Sequence, residues 1–207
     1  MPPCRSSRSE ITTYREPEDT VASCDVPDLA ADLRRRAEAD RRARNELLRT
    51  GRPGDLFEVD AENTMWLKAI VAEHGWPGVA LVGEQGADDA WLLVQHADRD
   101  PEFQLEALEL LQIAVDAHDA PARHLACLTD RVLVAFDQPQ LYGTQYTGEG
   151  AGMHLLPVHD PERLDERRAS AGLETAASYD RRMRAKYQGS SLRTEGRDGA
   201  DRHMTSR

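Results

Sequence analysis

Aromatic residues are scarce in this chain, 5% of its 207 residues, so Leu, Val and Ala must do most of the packing in any core. Cysteine is scarcer still. Cys4, Cys24 and Cys127 show no ligand spacing and cannot all pair within one chain, which points away from a disulfide framework and toward a reducing compartment. The opening stretch MPPCRSSRSEITTYREPEDT lacks the apolar core of a signal peptide, and no run of apolar residues approaches the length needed to cross a bilayer. The expectation is a soluble, cytoplasmic protein with no membrane partner. Standard catalytic signatures are missing as well. There is no phosphate-binding glycine loop, no nucleophile elbow, no paired cysteines and no His-Glu-x-x-His. His154, His159 and Asp160 in HLLPVHD are metal-capable but follow no recognised ligand spacing, so neither a metal nor another cofactor is expected.

What the chain has in quantity is charge. Charged residues make up 30% of it, and the formal net charge is -11. Most basic residues stand beside acids, so the surface repels phosphate backbones and nucleic acid is not an expected partner. The hydrophobic share, 40%, still allows a globular core. Residues 1–26 hold too few apolar side chains to offset the entropy of ordering and are expected to form a disordered arm, with a second tail over 188–207. Between them lies one helical domain, residues 27–187.

Helix punctuation divides that domain. DLAADLRRRAEADRRARNELLRTG starts at Asp28, a good N-cap, and stops at Gly51. Leu29, Leu33, Ala37, Leu47 and Leu48 give it a thin apolar stripe, and its arginine run reads as a solvated face. A second helix is expected from Val59 to His74, with Trp66, Leu67, Ile70 and Val71 inward. GVALVG, residues 78–83, reads as a short buried strand or extended packing. A third helix starts near Glu84 to Ala87 and ends before Pro101, and a fourth runs from Pro101 to His118. Asp119 is expected to cap a fifth, with Pro121 in its first turn. QLYGTQY and MHLLPV read as a small β-hairpin around the glycine-rich TGEGAG. Helices over 161–171 and 175–186 complete a mainly α, single-domain multi-helix bundle with a small hairpin near 140–158.

The polar residues inside apolar runs are the candidates for chemistry. Ala87, Ala90, Trp91, Val94 and Ala97 share one broad helical face, whereas His96 points the other way, near Leu92 and two turns from Asp89. It is either a solvated outer histidine or, if Leu92 marks a second buried side, the lining of a cavity. Gln104 shares a stripe with Leu108, Leu111 and Val115, which draws the amide inward; as a core residue it would brace nearby backbone. Asp130 and Arg131 in LTDRV, and Gln140, Tyr142, Thr144 and Gln145 in QLYGTQY, make either a polar pocket or a buried network that fixes the hairpin. Alternation sends Tyr142 and Thr144 to one face and Gln145 to the other, unless Gly143 bulges the chain.

NTMWLKAIVAEHGWPG, VGEQGADDAWLLVQHADRDPEFQ, LTDRV, QLYGTQY and DERRASAGL, in that order, resemble an uncharacterised bacterial family, domain of unknown function 6624. The resemblance spans about Asp55 to Tyr179. It implies no activity, but its motif positions fall on Asn63, Trp76, Gln95, His96, Gln104, Asp130, Arg131, Gln140, Tyr142, Gln145 and Arg168. Two functions use such a set. In one, a cofactor-independent enzyme of hydrolase or lyase type acts on a small polar molecule or peptide. There His96 is general acid or base, with Asp130 orienting it or Arg131 holding an anionic substrate group, and Asn63, Gln95, Gln104, Gln140, Tyr142 and Gln145 bind substrate. In the other, a non-catalytic helical domain recognises a protein partner and the polar cluster serves the fold.

Overall fold

The structure is a computed structural model, and it describes residues 28–148 and 152–191. The expected N-terminal arm, the tip of the glycine-rich loop and residues 192–207 of the expected tail lie outside the described residues. Helix α1, Leu29–Thr50, begins where the Asp28 carboxylate accepts the Ala31 amide at 3.1 Å. It ends at Gly51, whose left-handed φ of 69° lets its N–H reach the Leu47 carbonyl. Leu33 and Ala37 of the thin stripe are buried, and Asp40 and Ala43 continue it inward. Helix α2, Leu56–His74, starts a turn earlier than its spacing suggests and buries Leu67 and Val71, with Trp66 and Ile70 half-buried.

GVALVG is neither strand nor extended packing. It supplies the first turn of α3, Val79–Gln95, and Gly83 then breaks the helical path with φ 72° and ψ 170° before the helix resumes at Glu84. The sequence reading caught the second start and missed the first turn, because a glycine inside an apolar run removes the helical period. Asp119 explains how so short a turn holds: its backbone carbonyl takes the Val79 amide at 2.9 Å and its carboxylate takes the Ala80 amide at 2.6 Å. Asp119 therefore caps α3, not the fifth helix as expected. That helix, α5, spans Ala122–Ala135 with Pro121 at the N-cap position, one residue before the first turn. Helix α4, Pro101–Asp116, is capped by Asp100, whose carboxylate accepts the Phe103 amide at 3.0 Å.

Strands β1, Tyr146–Thr147, and β2, His154–Leu155, form the antiparallel hairpin, shorter than the sequence pattern allowed. Gln140 bridges Val158 in parallel beside it. A 3-10 turn, Pro161–Arg163, leads into α6, Leu164–Ser170, and α7, Ala176–Ser191, carries the chain past the expected helix end at Lys186. The fold is mainly α with a small hairpin. Leu33, Leu67, Leu93, Val94, Phe103, Leu111 and Leu128 are at most 2% exposed and form the centre of the core; each such side chain contributes roughly 1.5–3 kcal/mol by leaving water. Helix α1 lies chiefly against α3, and α4 against α5. No helix among the described residues is long and apolar enough to cross a membrane.

Candidate functional site

The C-terminal end of α3 meets the middle of α1. His96 occupies the C-cap position of α3, and its Nδ1 lies 2.7 Å from Asp40 Oδ1. Asp40 is 1% exposed. It shares the spacing of Leu33 and Ala37, so the packing that buries those residues carries a carboxylate inward with them. One turn further along α1, Arg44 Nε stands 2.9 Å from His96 Nδ1 and 3.1 Å from Asp40 Oδ1, while its Nη2 donates to Asp60 Oδ1 of α2 at 2.7 Å. Arg36 adds a second link between α1 and α2, donating to Asn63 Oδ1 at 3.2 Å and lying 4.6 Å from the Trp66 ring centroid. Burial lowers the pKa of this guanidinium from its usual value.

Proton placement follows from these distances. Nδ1 cannot donate to Asp40 and accept from Arg44 at once, and a carboxylate 2.7 Å away requires the proton to lie between them. Nδ1–H therefore donates to Asp40, Arg44 Nε–H also goes to Asp40, and Nε2 carries the lone pair. Among the described residues Nε2 has no hydrogen-bond partner, and the His96 side chain keeps 19% of its surface exposed. Burial lowers the imidazole pKa below its usual value; the Asp40 bond opposes this, and the charges of Arg44 and Arg131 add to it. Burial also raises the Asp60 carboxyl, against the pull of Arg44 and His96.

The matched family covers residues 27–192 and is described as a family of unknown function, DUF6624. The chain belongs to DUF6624. The match extends beyond the Asp55 to Tyr179 span of the five motifs and takes in α1, where Asp40 and Arg44 lie. No curated protein and no solved structure matches the chain.

Hydrogen bonds divide the polar residues named from the sequence into separate groups. Asp130 is 0% exposed, and its carboxylate is taken up by the loop that follows α5. It accepts the amides of Leu141, Tyr142 and Thr144 at 2.7, 2.8 and 2.9 Å and the Thr144 hydroxyl at 2.9 Å. Burial pushes this carboxyl pKa up while those donors pull it back. The carboxylate that touches His96 is Asp40, not Asp130. Gln140 donates to the carbonyls of Gln145 and Leu156 and accepts the Gln145 amide at 2.8 Å. Gly143, at φ 64°, bulges the segment and breaks the simple alternation, and the buried Arg168 holds the bulge by donating to the carbonyls of Tyr142, Gly143 and Glu174. The Gln145 side chain donates to Thr144 Oγ1 at 3.0 Å.

Gln104, fully buried, donates to the Val94 carbonyl at 3.0 Å and bonds the end of α3, the bracing role of a core amide. Arg131 pairs with Asp98 and is the one member of LTDRV whose charge reaches His96. Asn63 and Gln95 are buried, each with an amide nitrogen that has no protein partner.

Sequence reasoning missed Asp40, Arg44 and Asp60. The signal was present in α1, where positions 33, 37, 40 and 44 keep core spacing; Arg36 and Arg44, read as part of a solvated face, are half-buried and paired inward. A second imidazole, His124, is 3% exposed, stacks on Trp91 at 4.5 Å and stands 3.0 Å from Asp88. Burial pushes its pKa down to about 4. A hollow of about 440 Å³ lies beside it, lined by Glu84, Asp88, His118 and Arg123 among others, and another of about 370 Å³ lies between the start of α1 and α3. Neither is lined by His96. No cluster suited to a metal ion occurs among the described residues.

Proposed function

We propose that the chain is an enzyme of hydrolase or lyase type, acting on a small polar molecule or peptide, with His96 moving the proton. The observation that carries this reading is the 2.7 Å contact from Asp40 to Nδ1 of an imidazole whose other nitrogen has no hydrogen-bond partner among the described residues and whose side chain is 19% exposed. Asp40 fixes the tautomer, so Nε2 is the base. Burial keeps the ring neutral near pH 7, the form that accepts a proton. Nε2 takes a proton from an attacking water or from an acidic carbon, Asp40 stabilises the imidazolium that forms, and Nε2–H returns the proton to the leaving group. These steps need no cofactor. Arg131, 25% exposed and electrostatically felt at the ring, would hold a negatively charged substrate group.

A turnover screen over small esters, amides and β-eliminating acids tests the reading, run with the wild type and His96→Ala in parallel. A compound consumed by the wild type and spared by the variant is the expected result. Equal rates for both proteins across the screen would overturn it.

A second reading, a binding domain for a protein partner, draws on the large apolar side chains left exposed on α2 and α4, Phe57, Met65, Leu105 and Ile113. In that case His96→Ala keeps partner affinity, whereas charged substitutions at Met65 and Ile113 remove it.

A further inference from the structure

We propose that Asp60 is a positioning residue that acts on His96 through Arg44, by holding the guanidinium against the imidazole. The proposal rests on His96 being the group that moves the proton. Its geometry is a chain of four short contacts across three helices. Asp60 Oδ1 of α2 takes Arg44 Nη2 at 2.7 Å, and Arg44 Nε lies 3.1 Å from Asp40 Oδ1 and 2.9 Å from His96 Nδ1. Asp40 Oδ1 closes the set at 2.7 Å from the same nitrogen.

A guanidinium is planar, so one carboxylate on Nη2 and another on Nε fix its orientation as well as its position. Arg44 needs both anchors. Its side chain is 28% exposed and ends a flexible stem whose ordering is costly. Held by Asp40 alone, it would exchange that single bond for water. Asp60 is 17% exposed and sits on a different helix from Asp40, so it closes the clamp from the far side of the α1–α2 seam.

The clamp has an electrostatic consequence. Asp40 favours a second proton on His96, and the cation of Arg44 disfavours it. The groups that face the imidazole are Asp40 and Arg44 from α1, Asp60 from α2, Arg131 from α5, and Asp98, which pairs with Arg131. Arg131 acts in the same direction as Arg44 and has no bond to α2, so a change at Asp60 leaves it in place. Deleting a nearby anion ordinarily lowers the pKa of a histidine. If Asp60 works through Arg44, its deletion does the opposite, because Arg44 swings out and the ring is left with Asp40 uncompensated. The sign of the change separates the two cases.

The experiment is an NMR titration of the ¹⁵N-labelled full chain, following the His96 ring in the wild type, Asp60→Asn, Arg44→Gln and the double variant, with circular dichroism as the check on folding. The expected result is a rise in the His96 pKa of about half a unit or more in each single variant, with the double variant matching Arg44→Gln alone. A fall or no change in Asp60→Asn, or a further shift when Asp60→Asn is added to Arg44→Gln, overturns the proposal. Should Asp60→Asn fail to fold, Asp60→Ser replaces it, since a hydroxyl on so short a side chain carries no charge and cannot hold Arg44 Nη2; the same rise is expected, and its absence is equally decisive. The enzymatic reading fails separately. His96→Ala with undiminished turnover removes that reading and leaves the titration result standing, while an unmoved pKa removes Asp60 alone.

Discussion

Gln104 Nε2 donates to the Val94 carbonyl at 3.0 Å, so the first turn of α4 holds the last turn of α3, the one that presents His96. Val94 O also receives the Ala97 amide at 3.2 Å, so Gln104→Leu does not strand it, and the buried Gln104 Oε1 has no partner to lose. The expected loss for Leu is therefore about 1 kcal/mol, at the low end for a buried hydrogen bond. Gln104→Glu removes the donor and sets an acid against two carbonyls in a fully buried position, and is expected to destabilise by several times as much near neutral pH. Urea unfolding of the two variants checks the order. A Glu variant as stable as the Leu variant would contradict the burial of this side chain.

Asp130 is predicted to serve the loop after α5. Asp130→Ala strands four donors, three loop amides and the Thr144 hydroxyl, and should cost roughly 3–5 kcal/mol, the range for breaking a buried charged network. Hydrogen exchange gives the sharper test. The amides of Leu141, Tyr142 and Thr144 should lose protection together, while those in the middle of α4 keep theirs.

His124 makes stability depend on pH in a calculable direction. Its folded pKa, about 4, lies below the ordinary 6.5, so the unfolded chain binds the proton first as pH falls. The contribution is complete above 6.5 and is lost progressively down to about 4; that interval is worth roughly 3 kcal/mol for one group. Burial is the main cause, and Arg123 adds to it. Denaturation midpoints of the wild type should decline between pH 6.5 and 4.5. His124→Phe, which keeps a ring over Trp91, should show a visibly shallower decline over the same window.

The sequence made the helices legible wherever periodicity and punctuation agreed, as at Asp28 with Gly51 and at Pro101. It failed at residues 78–83 because the support for that turn comes from Asp119, about forty positions away, and no local window contains it. The site divided in the same way. Gln104 could be placed inward from its own stripe, and His96 could be singled out as off the main face of α3. The partners of His96 were out of reach, since which side of α1 meets the end of α3 is a tertiary fact, and a run of arginines reads the same whether two of them turn inward or none does. Asp130 misled for a related reason. Next to arginine in a motif, a carboxylate looks chemical, yet its donors are backbone amides that carry no sequence signature.

The contact between Asp40 and His96 orders the effects expected on stability and on turnover differently. His96→Ala removes one partner of a buried carboxylate that keeps Arg44 Nε at 3.1 Å, so it should destabilise by only about 1–2 kcal/mol. Asp40→Ala leaves both Nδ1–H and Arg44 Nε–H without their acceptor and should cost more, roughly 2–4 kcal/mol. Asp40→Asn nearly preserves volume, but its side chain offers a donor as well as an acceptor. An amide N–H turned toward Nδ1 forces the imidazole proton onto Nε2, where the base has to be. The expected signature is a small loss of stability with a fall in turnover of about 10²-fold or more, since the wrong tautomer removes the proton acceptor. Thermal melts of the three variants measure the first ordering. Nitrogen chemical shifts of His96 in Asp40→Asn measure the tautomer directly, and an Nδ1–H ring in that variant would show that Asp40 does not set it.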